Sequence, residues 1–386
     1  MKKIMVLLSF VCTVLFGNEL EIADKAYKAG DYQKAFKYSK IACDNGEYEG
    51  CYGLGNLYRL GEGVEQNYTE ASKYYKLACD NGVYLGCNSL GFLYAYGQGI
   101  RQNYKEAFKY YKLACDNGDY GSCSNLGLLY VNGQGVKQNY TEAFKYYKLA
   151  CDNGEYGGCT NLGLLYVNGQ GVEQNYTEAF RYYKLACDNG EYRGCYNLGG
   201  LYANGQGVKQ NYTEAFKYYK LACDNGEYIS CRYLGILYES GQGVKQNYTE
   251  AYKYYKLTCD NGEYLGCSNL GFLYHDGQGV KQNYNEAFKY FKITCDSGVN
   301  LGCYNLGALY ANGQGIRQNY KEAFKYFKIT CDSGEYRGCS GLGILYANGQ
   351  GARQSYSMAK EYFGKACDLG DQQGCDAFAD LNQKGY

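Results

Sequence analysis

Cysteines stand at positions 43, 79, 115, 151, 187, 223, 259, 295, 331 and 367, always 36 residues apart. Each is followed eight residues later by another, at 51, 87, 123, 159, 195, 231, 267, 303, 339 and 375. A fixed period of roughly 20–50 residues marks a stack of near-identical units, because one such unit cannot bury its apolar face alone. Whatever the unit is, it must pack against copies of itself.

The residues from Tyr140 onward place Ala143, Phe144, Tyr147, Ala150 and Cys151 at the spacing of a helix with one buried stripe. Lys145 and Lys148 fall off the stripe. Asn139 precedes it and Glu142 follows three residues later, the pattern of a capping box with Asn in place of Ser or Thr. Gly154 suits a left-handed stop. This segment is helix B. A shorter helix A is predicted from Cys159 to Val167, with Leu162, Leu165 and Tyr166 on one face. Glycine inside a helix costs about 1 kcal/mol against alanine, so the return of Gly163 in nearly every copy predicts a close backbone approach to a neighbouring helix. Gly169-Gln170-Gly171 ends helix A and leads to the next helix B.

Residues eight apart on one continuous helix lie about 12 Å apart, whereas a disulfide needs Cα atoms within about 7 Å. A bridge from Cys151 to Cys159 therefore requires the chain to reverse, and Asp152-Asn153-Gly154 supplies the turn. On the loop-entropy account such a staple contributes roughly 2.5 kcal/mol.

Residues 1–17 read as a cleaved secretory signal peptide: Lys2 and Lys3, an apolar run from Ile4 to Phe16 too short to span a membrane comfortably, then Gly17. Cys12 lies inside it, so cleavage leaves 20 of 21 cysteines, an even number in ten regular pairs. Residues 18–46 form an N-terminal capping hairpin without the Gly-x-Gly loop, 47–370 nine 36-residue units, and 371–386 a polar half unit that caps the stack. Proline is absent, which suits unbroken helical hairpins. Lys plus Arg equals Asp plus Glu at 39 each, so no basic excess exists to grip nucleic acid. No second apolar span follows the signal, so no membrane span is expected in the mature chain. Most of the 51 tyrosines recur at helix-stripe positions and are assigned to the core.

The unit Asn-Leu-Gly-x-Leu-Tyr, Gly-x-Gly-Val and Asn-Tyr-x-Glu-Ala-x-x-Tyr-Tyr-Lys-Leu-Ala-Cys resembles the Sel-one-like repeat (SLR), a cousin of the tetratricopeptide repeat (TPR). The added Cys-Asp-Asn-Gly-x-Tyr-x-x-Cys resembles the Helicobacter cysteine-rich protein family. The resemblance implies an all-α fold, an α/α solenoid or right-handed superhelix of SLR/TPR-like helical hairpins stapled by disulfides. The expected pairs are Cys43–Cys51, Cys79–Cys87, Cys115–Cys123, Cys151–Cys159, Cys187–Cys195, Cys223–Cys231, Cys259–Cys267, Cys295–Cys303, Cys331–Cys339 and Cys367–Cys375. It also implies a secreted or periplasmic protein, of a family whose members are commonly named β-lactamases or penicillin-binding proteins.

A serine β-lactamase needs Ser-x-x-Lys with Ser-Asp-Asn and Lys-Thr-Gly. Ser357-Met358-Ala359-Lys360 matches the first element, making Ser357 and Lys360 the catalytic candidates, but the other two elements are absent. The same four residues align with Thr141-Glu142-Ala143-Phe144, an ordinary start of helix B. His275 is the only histidine, and oxidised cysteines do not bind metal, so neither a metal nor a cofactor is expected. Units 119–154 and 155–190 differ at few positions, so neither offers the single asymmetric cluster that catalysis needs.

The positions that change between copies point to a binding scaffold. One set runs Tyr52, Asn88, Ser124, Thr160, Tyr196, Arg232, Ser268, Tyr304, Ser340. A second runs Asn56, Phe92, Leu128, Leu164, Gly200, Ile236, Phe272, Ala308, Ile344, and a third Arg59, Ala95, Val131, Val167, Ala203, Glu239, His275, Ala311, Ala347. All lie on helix A, which lines the groove in related repeats. Asn125 with Asn132, Asn161 with Asn168, Asn197 with Asn204 and Asn305 with Asn312 stand seven apart and share a helix face. Such a ladder of amides can bond the backbone of an extended peptide; equally, asparagine beside glycine suits a helix stop or a bond to the loop. The Asn-Tyr-Thr sequons at Asn67 and Asn175, each with Glu two residues before, fit a glycosylation site or simply a helix cap. The expected ligand is a peptide, a peptidoglycan-like cell-wall fragment, a β-lactam or a host protein. The alternative is β-lactam hydrolysis to a substituted β-amino acid.

Overall fold

The computed structural model describes residues 19–386; the expected signal peptide lies outside them. Among the described residues there are 21 helices, from Glu19–Lys28 to Gln372–Gln383, and no strand. The chain divides into two units, 1–194 and 195–386. In each, antiparallel hairpins repeat in the same register.

Helix B (Tyr140–Asp152) starts where Asn139 Oδ1 accepts from the backbone N–H groups of Thr141 and Glu142 at 3.1 and 3.2 Å. The expected capping box is only half present. Glu142 turns away to Lys145, at 2.6 Å, while the Asn139 N–H donates to the carbonyl of Tyr130. At the other end Asn153 Nδ2 donates to the Leu149 carbonyl, and Gly154 turns the chain at φ +86°.

Helix A (Tyr156–Asn168) is 13 residues long, as long as helix B rather than shorter. It begins three residues before Cys159, with Gly157 and Gly158 in its first turn. Gly158 is needed for packing: a Cβ there would sit 2.8 Å from the Ala150 Cβ and 2.9 Å from the Tyr147 carbonyl oxygen. This tight crossing brings Cys151 and Cys159 to a Cα separation of 4.7 Å, and they are bridged. Eight further pairs inside one unit are joined the same way, from Cys43–Cys51 to Cys367–Cys375. Cys187 and Cys195 fall on either side of the unit boundary.

Most of the core clusters run through a disulfide. In the first unit Ala143, Tyr147, Cys151, Cys159, Leu162, Leu165, Tyr182 and Ala186 form one; in the second, Ala323, Phe327, Cys331, Cys339, Leu342, Leu345, Tyr362 and Ala366 repeat it. The helix A glycine does admit the neighbouring helix, but what enters is an aromatic ring rather than the expected backbone. A Cβ on Gly163 would lie 2.4 Å from a ring carbon of Tyr183, on the next helix B (Tyr176–Asp188). Gly127 faces Tyr147 in the same way, and in the second unit Gly235 faces Tyr255 and Gly271 faces Phe291.

This socket yields a direct test. Gly163→Ala is expected to destabilise the chain by about 1–2 kcal/mol in urea unfolding, since overpacking costs about 1–3 kcal/mol and alanine recovers part of that as helix propensity. Gly157→Ala is the control, because its Cβ would meet only the mobile end of Glu155. It should be neutral or stabilising. Equal effects at both positions would exclude the ring contact as the reason for Gly163.

Candidate functional site

In the first unit three clefts of about 370, 320 and 290 Å³ adjoin. Tyr52, Asn56 and Arg59 line both of the first two; Phe92 and Asn125 line both of the last two. They form one groove along successive A helices, Tyr48–Leu60, Tyr84–Tyr96 and Tyr120–Asn132. In the second unit a cleft of about 630 Å³ is lined by Tyr304, Ala308, Ala311, Asn312, Ser340 and Ile344, among others. All three sets of positions that change between copies contribute members to the cleft walls, alongside repeated residues such as Tyr104, Leu129 and Gln134.

The asparagine pairs separate into two jobs. Asn125 and Asn132 do line one cleft. However, Asn125 Nδ2 donates to Asn88 Oδ1 at 3.1 Å, across the seam between consecutive A helices. Arg232 and Asn269 meet in the same register in the second unit, at 3.2 Å. Asn161 and Asn197 are half-buried at this register, and Asn305 is buried with its Nδ2 unbonded. Asn132, Asn168, Asn204 and Asn312 instead are exposed, each the last residue of its helix before a left-handed glycine. Asn132 Nδ2 reaches Gln134 Oε1 at 3.4 Å, a bond to the loop, and Asn312 lines the cleft of the second unit.

The rings seated against the glycines bring their hydroxyls to the groove. Tyr75 Oη donates to Asn56 Oδ1 at 2.8 Å and accepts from Arg59 Nε at 3.2 Å. Burial pushes this phenol up to about 12, with Arg59 opposing the shift. Tyr255 donates to the Glu239 carboxylate, and burial first, then that carboxylate, hold it well above the ordinary range. Tyr111 lines the 290 Å³ cleft, and among the described residues none is hydrogen-bonded to its hydroxyl.

Ser357 is exposed in the first turn of the helix Tyr356–Asp368. Lys360 is drawn to the C-terminal helix, where its Nζ donates to Asn382 Oδ1 at 2.7 Å and to the Tyr386 carbonyl. Among the described residues no hydrogen bond joins the two. His275 pairs with the adjacent Asp276 and rests edge-on against Tyr284. Among the described residues no group of three or more His, Cys, Asp or Glu is placed to hold a metal ion. Asn67 and Asn175 each accept two backbone N–H bonds as helix caps. The residue missed by sequence reasoning is the glutamine before each of these caps. Gln138 Nε2 donates to the Val131 carbonyl at 2.7 Å and to Tyr140 Oη at 3.0 Å, closing the end of helix A. Its recurrence at the same register was the available signal.

The Sel1 repeat profile matches ten segments: 25–47, 49–83, 85–119, 121–155, 158–191, 193–227, 229–263, 265–299, 300–335 and 337–371. Among solved structures, the chain is similar to c5321, a protective antigen present in uropathogenic Escherichia coli strains displaying an SLR fold. That match has a TM-score of 0.58 and 25% identity over 96% of this chain and 88% of the other. A Sel1 repeat protein from Oxalobacter formigenes matches at a TM-score of 0.59 and 30% identity, over 62% of this chain and 99% of that one. Among curated proteins, "Putative beta-lactamase HcpE" of Helicobacter pylori is 51% identical over 45 residues. HcpC from the same species is 51% identical over 43 residues. These alignments span only 13% and 15% of the relatives' lengths. By sequence and by fold alike, the chain belongs to the Sel1 repeat family.

Proposed function

We propose that the chain is an extracytoplasmic binding scaffold that captures an extended peptide or a peptidoglycan-like fragment along its A helices. The observation that carries this is that the clefts fall on helix A positions that change between copies, among them Asn56, Arg59, Phe92, Leu128, Ala308 and Ile344. Disulfides at every hairpin within the units belong to an oxidising compartment, which supports secretion or a periplasmic location. No helix among the described residues is long and apolar enough to cross a membrane. The description of the Escherichia coli neighbour as a protective antigen supports display outside the cytoplasm.

The test uses the oxidised chain with immobilised random decapeptides and soluble muropeptides. Leu128→Arg and Ala308→Arg, one in each unit's cleft, are expected to weaken capture at least about tenfold by blocking the groove. Leu149→Arg, at an exposed position of helix B, should leave capture unchanged. Capture indifferent to both groove variants, or lost equally in the control, sinks the proposal. The names of the Helicobacter pylori relatives motivate the second possibility, β-lactam hydrolysis. Turnover of a chromogenic cephalosporin that disappears in Ser357→Ala would make the chain an enzyme; labelled-penicillin binding without turnover would support the scaffold.

A further inference from the structure

We propose that the groove of the first unit selects a peptide carrying a carboxylate and a neighbouring large apolar side chain. This rests on the scaffold proposal and deepens it. The charge comes from Arg59. It is half-buried where two clefts meet, and its Nε is held by Tyr75. Among the described residues no carboxylate is bonded to the guanidinium, whose remaining N–H groups match a carboxylate's two oxygens. Of the two acids lining the adjoining cleft, Asp24 is taken by Lys28 at 2.6 Å, and Glu49 sits in the first turn of its own helix. An incoming carboxylate would therefore meet a positioned and otherwise unengaged cation.

The apolar subsite is one repeat further on. Phe92 and Tyr96 stand 4.5 Å apart between ring centroids, and Leu128 faces the same cleft. Phe92, Tyr96 and Leu128 are all exposed, Tyr96 by 60%. Exposed large apolar side chains gathered in one concave site mark a place where apolar ligand surface is buried. Behind them lies Tyr111, only 3% exposed as a residue but lining the cleft, and among the described residues its hydroxyl makes no hydrogen bond. The comparison with Tyr75 gives the reason. Tyr75 is answered by Asn56 and Arg59, whereas the equivalent positions beside Tyr111 are Phe92 and Ala95. That hydroxyl opens to the cleft, where a ligand carbonyl would accept its hydrogen bond in place of water. The subsite thus has an apolar wall, a phenol donor at its base and the amide of Asn125 at its edge.

The probes are fluorescein-labelled glycine-serine octapeptides carrying one Phe and one Glu, separated by one to four residues, titrated against the full oxidised chain by anisotropy. At least one spacing is expected to bind, and changing its Glu to Gln should weaken it about tenfold. In Arg59→Gln that Glu-over-Gln preference should vanish. Tyr111→Phe should weaken the best probe about three- to tenfold, through loss of one hydrogen bond, without altering the Glu preference. If Arg59→Gln retains the full preference, or Glu and Gln probes bind equally to the parent chain, the proposal is overturned; the ligand-side comparison stands even if the variant folds poorly. Capture of random decapeptides with no Phe/Glu selectivity would overturn this selectivity while sparing the scaffold. Failure of every peptide to bind would overturn both.

Discussion

Reduction of the folded chain is expected to lower its urea midpoint sharply and to broaden its unfolding, rather than to produce a small uniform shift. The two cysteines of each staple are eight residues apart and join the end of helix B to the next helix A. Opening one restores the freedom of a short loop, roughly 2.5 kcal/mol on the loop-entropy account. For a double Cys151→Ala, Cys159→Ala variant the expected loss is thus about 2–3 kcal/mol. Complete reduction acts on every hairpin at once. In a stack whose stability is a sum of repeat and nearest-neighbour terms, weakening each repeat also erodes the cooperativity between them. The measurement is far-ultraviolet circular dichroism against urea, with and without a phosphine reductant. An unchanged midpoint after verified reduction would mean that packing alone holds the hairpins.

Alkali should unfold the chain between about pH 10 and 12. Tyrosine in an unfolded chain titrates near 10. Burial raises Tyr75 to about 12 and pushes Tyr111, Tyr147 and Tyr183 higher still. These groups stay protonated in the folded chain while the unfolded chain releases their protons. The unfolded state therefore binds fewer protons across this window, and stability falls as pH rises. Below pH 10 both states hold the proton and the contribution is constant. For Tyr75 the difference is about two units, or about 2.7 kcal/mol at 1.36 kcal/mol per unit. Several such tyrosines acting together make the loss large. The signature is a step in phenolate absorbance coincident with loss of helix. Gradual titration of all tyrosines near their ordinary value, with helix retained, would contradict the burial of these hydroxyls.

Much of this architecture was legible because it recurs. The stripe Ala143, Tyr147, Ala150, Cys151 declared helix B, and the cost of Gly163 inside a helix foretold a close neighbour, though that neighbour is the ring of Tyr183 and not backbone. The first turn of helix A was hidden because Gly157 and Gly158 carry no apolar side chain to extend the stripe; nothing local reveals how closely Ala150 and the backbone of the preceding helix approach Gly158. The site was only half legible. Variation picked out the groove positions, but spacing alone placed Asn125 and Asn132 on one face without revealing that Asn125 is engaged by Asn88 from the neighbouring helix. Likewise Tyr75 and Tyr111 look alike in sequence, and only their partners distinguish a satisfied hydroxyl from an open one.

The glycine sockets carry a consequence for how such a chain changes length. From Gly55 to Gly343, each full repeat's helix A presents a bare backbone notch, and the following helix B presents a six-membered ring to fill it. Removing residues 119–154, one whole period, leaves each remaining notch in the first unit facing a ring, since Gly91 still meets Tyr111 and Gly163 still meets Tyr183. Slippage between near-identical coding segments can therefore shorten or extend the array by whole hairpins with no new interface to invent. The reach of the groove becomes a heritable variable, adjusted in steps of 36 residues while the joints stay interchangeable.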